Sequence, residues 1–354
     1  MLTARENFLR ALRREDPEWV PFDLNLSPAL LQEFKRRTGH EDPYEYYRIP
    51  LAGIQLAPSR MKTDYSRYYP NGLPDGTSID EWGIARRRGG FEHFEKMIHP
   101  MRAFSKPSEI EACPLPDLDA EYRWETAADQ VQHIKARGLV AVGYMHCTIF
   151  EISWYLRGME EFLTDLLMAP EMARTLMDRI TDLRRAQARN YARVGADIIQ
   201  FGDDVSTQLT MMMSPALWRR EIKPRLAAVV AAAREANPSV ITWYHGDGNL
   251  REIVPDLIEI GIQVLNPVQP ECLDPIALKE EFGDRLSFWG TVGTQTLMPF
   301  GTPDEVRAWC RRMIETVGRG GGLVMAPTHV LEPEVPWENI EAMVAAVRDY
   351  GRYA

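Results

Sequence analysis

Histidine and aspartate residues recur directly after short apolar runs in this sequence, and such residues can hold a metal ion or move protons. His245 and Asp247 follow the run 239–244, and His329 follows the run 322–326. A short His-x-Asp pair with a distant third ligand can hold a divalent ion while one coordination position stays open, as catalysis requires. His245, Asp247 and His329 are therefore candidate metal ligands.

Asp247 has two alternative roles. Its carboxylate could cap a helix that begins near Leu250, or it could orient His245 in a metal-free acid/base pair. In the metal hypothesis, the fourth ligand is water, substrate or Glu332, which follows His329 by three positions.

Two adjacent carboxylates, Asp203 and Asp204, follow the apolar run 196–202. Acids at the end of a buried strand cost desolvation unless they face a polar opening, so we expect at least one of them to point into a site. There it could share a proton, ligate a metal or bind a cationic or hydroxylic substrate, and a helix cap is the alternative. Asp203, Asp204 and His329 are the candidate catalytic residues.

Other polar and aromatic side chains at the ends of the runs could contact a substrate. Tyr144 could stack on a planar ligand, and Met212 could line an apolar ligand surface, although core packing accounts for both residue types as well. For His146, beside Cys147, a buried polar position in a tight loop is the alternative. The candidate substrate-binding residues are Asp23, Asn25, Tyr144, His146, Gln208, Met212, Asn249 and Gln269.

These residues need a scaffold whose strand ends converge, and the pattern of the chain predicts one. Short apolar runs alternate with helical stretches from about residue 137, which is typical of βα units in a parallel sheet. Seven or eight such units favour an α/β fold with a single (β/α)8 barrel over an open doubly wound sheet, and the chemistry of a barrel lies where its strands end. The predicted strands are 19–26, 139–145, 196–202, 239–244, 262–268, 286–290 and 322–326.

Helix boundaries are also readable from the sequence. The stretch 158–195 predicts two helices broken at Pro170, with Gly195 as the stop. Ser214 and Thr302 each precede a proline and predict the starts of two further helices.

A single domain, 1–354, is the expected organisation. Residues 27–136 fit the barrel pattern less well, because they contain a stretch rich in proline, tyrosine and glycine and a hairpin pattern at 79–90. We interpret 27–136 as an elaborated first loop that covers one barrel mouth.

Composition narrows the classes of partner and location. With 41 Lys and Arg against 51 Asp and Glu, the net charge is −10, which disfavours nucleic acid and anionic lipid as partners. The four cysteines form no C-x-x-C pair, and neither a signal peptide nor an apolar membrane span is visible, so we expect a cytoplasmic protein. A small-molecule substrate is the expected partner.

The chain resembles the uroporphyrinogen decarboxylase superfamily over roughly residues 130–350. The segments that carry the resemblance are QFGDDVSTQ at 200–208, ITWYHGDGNLREIV at 241–254, WGTVGTQTLMPFGTPDEV at 289–306, MAPTHVLEPEVPWENIEAMV at 325–344 and the opening residues 1–24. The resemblance implies a (β/α)8 barrel, and dimerisation is known in the superfamily, so a homodimer is an open expectation.

Two branches of this superfamily differ at identifiable positions. The decarboxylases carry an Arg-Gln-Ala-Gly-Arg segment after the first strand, whereas this chain has DLNLSPALLQEF at 23–34. The zinc-dependent methyltransferases hold zinc with His-x-Cys and a late Cys, and the corresponding positions here are His245, Asp247 and His329, a harder ligand set. His329 also aligns with the histidine of the decarboxylases' late Gly-His-Gly motif.

The resemblance implies a zinc-dependent methyltransferase that moves a methyl group between a corrinoid and a small methylated substrate such as a methoxylated aromatic, a methylamine or a thiol. The corrinoid would reside on a partner protein, because the chain has no D-x-H-x-x-G signature. The alternative is a metal-independent decarboxylase in which Asp203 or Asp23 stabilises protonated ring nitrogens and His329 assists proton transfer. A non-catalytic binding protein is the third class.

Overall fold

The structure is a computed structural model that describes residues 1–88 and 95–353. Its main sheet has seven parallel strands in the order β1-β5-β6-β7-β8-β9-β10, and a second sheet has three antiparallel strands in the order β2-β3-β4. The strands are β1 Leu51–Gly53, β2 Thr77–Ile79, β3 Ala85–Arg88, β4 Glu95–Ile98, β5 Val140–Met145, β6 Ile198–Gly202, β7 Ile241–His245, β8 Val264–Asn266, β9 Ser287–Val292 and β10 Leu323–Pro327.

Helices connect the strands and cover the outside of the main sheet. They are α1 Ala4–Arg13, α2 Pro28–Thr38, α3 Pro43–Tyr47, α4 Pro107–Ala112, α5 Ala127–Ala136, α6 Phe150–Arg157, α7 Met159–Met168, α8 Pro170–Val194, α9 Pro215–Glu221, α10 Lys223–Ala236, α11 Val254–Glu259, α12 Pro275–Phe282, α13 Leu297–Phe300, α14 Pro303–Thr316 and α15 Trp337–Tyr350. Within the described ranges, none of these helices is both long enough and apolar enough to cross a membrane.

The parallel sheet is curled into a barrel, and the burial of alternate residues shows its two faces. In β5, Val140 and Val142 belong to a small inner cluster, whereas Ala141 and Met145 belong to the outer core under the helices. Successive side chains on a strand point to opposite faces, so this division separates the inside of the barrel from its outside. The inner cluster also contains Ile198, Ile241, Trp243, Val264, Trp289, Val324 and Ala326.

Helix α1 closes the end of the barrel at which the strands begin. A capping box between Thr3 and Glu6 starts the helix. Phe8, Leu9 and Leu12 then join the inner cluster, and the Phe8 ring packs edge-on against Trp289 at 5.3 Å between ring centroids. The side chains of α1 thus fill the bottom of the barrel, which leaves the opposite end open as the mouth.

The eighth strand position is held by the segment 19–26, which runs beside β10. Phe22 and Leu26 form parallel bridges to Met325 and Leu331, and the amide of Asp23 donates to the carbonyl of Met325 at 2.9 Å. The predicted (β/α)8 barrel is therefore confirmed, and the alternative of an open doubly wound sheet is not. At 19–26, isolated bridges take the place of a continuous strand.

The six predicted strands from 139 to 326 are confirmed, each within a few residues of its expected bounds. The break at Pro170, the left-handed Gly195 after α8 and the Ser214 and Thr302 caps are confirmed too. Strand β1 was not predicted, because its three residues are too short for a pattern and lie within 27–136. The hairpin at 79–90 corresponds to β2 and β3, and its residues 89 and 90 lie outside the described residues.

Candidate functional site

A cavity of about 330 Å³ opens at the mouth of the barrel. Its walls come from the segment 19–26 and from the ends of the parallel strands, where the carboxyl ends of strands meet in every barrel of this type. Six of the predicted site residues line it, namely Asp23, Asn25, Tyr144, His146, His245 and His329. Lining residues that were not predicted include Tyr44, Gln200, Trp243, Asn266 and Trp289.

His245, the last residue of β7, is held in one orientation by Asn266 at the end of β8. The Nδ2 amide of Asn266 donates to the carbonyl of Trp289 at 3.1 Å, so its Oδ1 faces Nδ1 of His245 at 2.7 Å. Because Oδ1 can only accept, Nδ1 of the neutral imidazole carries the proton. The lone pair on Nε2 is then free to bind an ion.

Two carboxylates lie on the Nε2 side of His245. The distance from Nε2 to Oδ1 of Asp204 is 3.8 Å, and the distance to Oδ1 of Asp247 is 3.9 Å. One ligand atom of each residue lies within 4.8 Å of the other two. The backbone amide of Asp247 also donates to Oδ1 of Asp204 at 2.8 Å, which fixes the two loops against each other.

The glycine at the end of β6 permits this close approach. A Cβ atom on Gly202 would lie 2.6 Å from both Cβ and the carbonyl oxygen of His245. The backbones of β6 and β7 therefore meet at a distance that any side chain at position 202 would prevent. Glycine here lets Asp203 and Asp204 follow directly beside His245.

Oδ1 of Asp247 is a buried oxygen that accepts no hydrogen bond from any described residue. Burial raises the pKa of Asp247, His245 and His329 lower it, and the neighbouring Asp204 raises it further. A buried carboxylate oxygen without a partner is costly unless a cation or a proton compensates it. Asp247 does not cap the following helix either, because Oδ1 of Asn249 accepts the amide of Arg251 at 3.2 Å.

Asp203 lies behind the mouth and not in it. It is fully buried, and its carboxylate accepts the amides of Ile149 and Glu151 at 2.9 to 3.1 Å, at the start of α6. Burial nevertheless raises the pKa of Asp203 to about 7. The helix-cap role therefore belongs to Asp203, and Asp204 is the member of the pair that the structure brings to His245.

Glu151, which the sequence pattern did not single out, joins this acidic group from α6. Its Oε2 accepts the amide of Asp204 at 3.0 Å, and its Oε1 accepts the hydroxyl of Tyr155 at 3.0 Å. Burial and the charges of Asp204 and Asp203 raise the pKa of Glu151 to about 8. Glu151 follows no strand directly, so its place beneath Asp204 depends on the packing of α6.

His329 lies near the His245 cluster but outside it. Within the described ranges, the ligand atoms that lie within 4.8 Å of one another belong to Asp204, His245 and Asp247, and His329 is not among them. The role of His329 as a metal ligand therefore stays a prediction. His329 is exposed on the rim and lines a second, smaller cavity with Asp247 and Glu332.

Two rings, those of Trp243 and His146, pack against the imidazole of His245. Trp243 stacks on it at 5.9 Å and 17°, and the ring of His146 meets it edge-on at 5.7 Å. Nε2 of His146 lies 3.0 Å from Oε1 of Gln200. Burial, followed by the nearby His245, lowers the pKa of His146 to about 4, so this imidazole is neutral at physiological pH.

Asp23 forms the opposite side of the cavity. Its Oδ2 accepts the indole N–H of Trp289 at 3.2 Å, and the Tyr44 hydroxyl and the Leu24 amide also bond to its carboxylate. Burial raises the pKa of Asp23, and these three hydrogen bonds lower it. Trp289 thus contacts both ends of the cavity, through its indole at Asp23 and through its carbonyl at Asn266.

The other predicted substrate residues lie at the rim or below it. Gln208 donates to Gln295 at 2.6 Å on the exposed edge. Oε1 of Gln269 accepts the amide of Gly248 at 2.6 Å and so braces the loop that carries Asp247. The side chain of Asn249 donates to the carbonyl of Leu209 and accepts the amide of Arg251. Met212 packs against the main core. The structure does not bring these four residues into the mouth cavity.

The residues around Nε2 of His245 fit a divalent metal. Zinc bonds of about 2.0–2.2 Å in a tetrahedral site place ligand atoms about 3.4 Å apart. The 3.8 and 3.9 Å separations found here need side-chain movements of only a few tenths of an ångström. One imidazole and two carboxylates form a harder donor set than thiolates, and an oxygen-rich set of this kind also suits other divalent ions.

Fold and site together define a TIM-barrel protein with a candidate metal centre at the carboxyl ends of its strands. The family model "Uroporphyrinogen decarboxylase (URO-D)" matches residues 96–350, well over half of the chain. The chain therefore belongs to the uroporphyrinogen decarboxylase family.

Similar proteins carry two different activities in their names. The methylcobamide:CoM methyltransferase MtaA of Methanosarcina barkeri is 28% identical over 196 residues, which cover 55% of this chain and 54% of that protein. A uroporphyrinogen decarboxylase of Coxiella burnetii (strain RSA 493 / Nine Mile phase I) is 23% identical over 186 residues, 52% of this chain and 49% of that protein. The chain thus matches about half the length of these relatives.

The fold is shared along the whole chain with a solved structure, a methyltransferase from Methanosarcina mazei. The two superpose with a TM-score of 0.69 and 20% sequence identity, over 99% of each chain. At this identity the likeness establishes the fold.

Proposed function

We propose that this protein is a zinc-dependent methyltransferase that moves a methyl group between a small methylated substrate and a corrinoid carried by a partner protein. The observation that carries the proposal is the orientation of His245, whose Nδ1 is bound by Asn266 while Nε2 faces Asp204 and Asp247. The similarity to a methylcobamide:CoM methyltransferase supports the same class of reaction.

In this proposal Nε2 of His245 and one oxygen each of Asp204 and Asp247 hold the ion, while His329 or Glu332 lies close enough to the Asp247 loop to be tested as a further ligand. Bound zinc would supply a Lewis acid for the heteroatom that exchanges the methyl group. Asn266 fixes the imidazole, and the amide of Asp247 fixes Asp204. The rings of Trp243 and His146 cover the imidazole of His245 and would exclude water from that side of the site.

The size and charge of the cavity favour this activity over decarboxylation of uroporphyrinogen. A volume of about 330 Å³ is at the low end for ligand pockets and suits a molecule of about one ring. A tetrapyrrole with eight carboxylates also needs several cationic partners. None of the described residues that line the cavity is a lysine or an arginine.

Metal analysis of the purified protein tests the proposal. We expect about one zinc per chain after chelation and reloading, and loss of that zinc in His245→Ala and Asp247→Ala. Glu334→Gln, a nearby exposed acid, is the matched control and should keep the metal. Methyl transfer between methylcobalamin and candidate acceptors should depend on the zinc. A protein that binds no divalent ion, or turnover of uroporphyrinogen without metal, would contradict the proposal.

A further inference from the structure

The charge of the mouth cavity is unbalanced at the end that faces away from the metal ligands. Asp204 and Asp247 lie beside His245, outside the described lining of this cavity, and a divalent ion would offset their charge. The partners of Asp23 in the described part of the chain are Tyr44, Trp289 and Leu24, and all three supply neutral hydrogen-bond donors. Asp23 is the one carboxylate among the described residues that line the cavity, and no lysine or arginine among them offsets it.

Aromatic rings border the same space as Asp23. Trp289 donates to the carboxylate, and the Trp243 ring meets the Trp289 ring edge-on, with centroids 6.0 Å apart. The Tyr144 side chain is 43% exposed, and its ring lies 5.9 Å from His146 in a stacked arrangement. Ring faces carry negative electrostatic potential and attract cations. An ammonium group that carries alkyl substituents is less strongly hydrated than a bare ammonium ion, so its burial against the rings costs less hydration free energy.

We propose that the substrate of this site carries a positively charged ammonium group, which binds between the carboxylate of Asp23 and the rings of Tyr44, Tyr144, Trp243 and Trp289. The proposal rests on the proposed function and specifies its substrate class. Sulfonates and carboxylates are excluded by the same surroundings, because burial of an anion beside Asp23 without a cation is costly.

The raised pKa of Asp23 agrees with this assignment. Burial raises it, and the described groups that lower it are the neutral donors of Leu24, Tyr44 and Trp289. An ammonium ligand would favour the ionised carboxylate and would replace the water that Asp23 loses in the folded protein. A carboxylate at the wall of a cavity whose described partners are all neutral is thus suited to bind a cationic ligand.

Binding of three probes of similar size tests the proposal without any methyl transfer. Choline carries the ammonium group, 3,3-dimethyl-1-butanol has the same shape without charge, and isethionate is an anion. Calorimetry at pH 8, on metal-free and zinc-loaded protein, should show choline binding at least about tenfold more tightly than the alcohol and no binding of isethionate.

Variants then assign the effect to residues. Asp23→Asn should reduce the preference for choline over the alcohol to less than about threefold, while the control Glu334→Gln keeps it. Because Asp23→Asn alters a buried hydrogen-bond group, the exposed Tyr144→Leu gives a second test and should weaken choline binding more than alcohol binding.

Equal binding of choline and the alcohol, tighter binding of isethionate, or an unchanged preference in Asp23→Asn would overturn the proposal. Absence of zinc would contradict the proposed function alone, because choline binding is also measured without metal.

Discussion

Oδ1 of Asn266 lies 2.7 Å from Nδ1 of His245, and this contact determines which nitrogen of the imidazole can bind an ion. The two residues end adjacent strands, and their Cα positions are paired in the parallel register of β7 and β8. The orientation of the candidate ligand is therefore set by the sheet itself, through a side chain that is bonded in turn to the backbone of β9.

This contact predicts the effect of changing Asn266 on metal affinity. Asn266→Ala removes the acceptor and should weaken zinc binding by about 10- to 100-fold, as is typical for partners that orient a ligand. Asn266→Asp keeps an oxygen opposite Nδ1 and should retain the affinity of the unchanged protein. Competition with a chromogenic chelator measures both variants. Equal affinities of Asn266→Ala and the unchanged protein would show that His245 does not bind the ion through Nε2.

We expect the substitution Asp247→Asn to stabilise the metal-free protein and to destabilise the zinc-loaded protein. Its folded-state pKa is raised, so the unfolded chain gives up this proton at lower pH than the folded protein does, and ionisation costs stability as pH rises. Without metal, Asp247→Asn should therefore raise the Tm at pH 7.5 by roughly 1–3 °C. With saturating zinc, the order should reverse, because the variant lacks a ligand. Calorimetric melts with and without zinc check this, and a variant less stable in both forms would contradict it.

Asp203 and Asp204 should separate into a structural and a ligand role. Asp203→Ala leaves the amides of Ile149 and Glu151 without their acceptor, so we expect a loss of about 2 kcal/mol in the free energy of unfolding and an unchanged zinc content. Asp204→Ala should lose zinc at a much smaller cost in stability. Denaturant unfolding and metal analysis of both variants measure the difference. Loss of zinc in a folded Asp203→Ala protein would contradict this division.

The buried acids behind the mouth predict the pH dependence of stability in the metal-free protein. Glu151 and Asp203 have pKa values raised to about 8 and about 7, against about 4 in an unfolded chain. Between these limits the folded protein binds more protons than the unfolded chain, so its stability should fall as pH rises from about 4 to 8.

Glu151→Gln tests this dependence. Gln can accept the amide of Asp204 as Glu151 does, and it does not titrate, so the decline of stability with pH should become shallower. The exposed Glu315→Gln is the control and should leave the slope unchanged. Urea unfolding at several pH values gives the slopes. If the free energy of unfolding of Glu151→Gln fell with pH as steeply as that of the unchanged protein, Glu151 would not be a source of the pH dependence.

The strands of the barrel and the region of its site could be predicted from the amino-acid pattern alone. Six strands from 139 to 326 were readable because both faces of each are buried, which makes them nearly continuous apolar runs between polar loops. Parallel strands that alternate with helices must end on one side, so His245, Asp247 and His329 were predicted to converge there, with at least one of Asp203 and Asp204 facing the same site. The caps at Ser214 and Thr302 depend only on residues next to them in the chain, so they could be predicted from the sequence.

Which of these polar residues lie next to one another depends on the packing of the whole fold. Asp203 and Asp204 are adjacent in sequence, yet successive side chains point in different directions, so one caps α6 and the other faces His245. Glu151 carries no signal of its site, because helix packing brings it to Asp204. Distances between residues far apart in the chain depend on the twist and closure of the whole barrel, and no local pattern contains them.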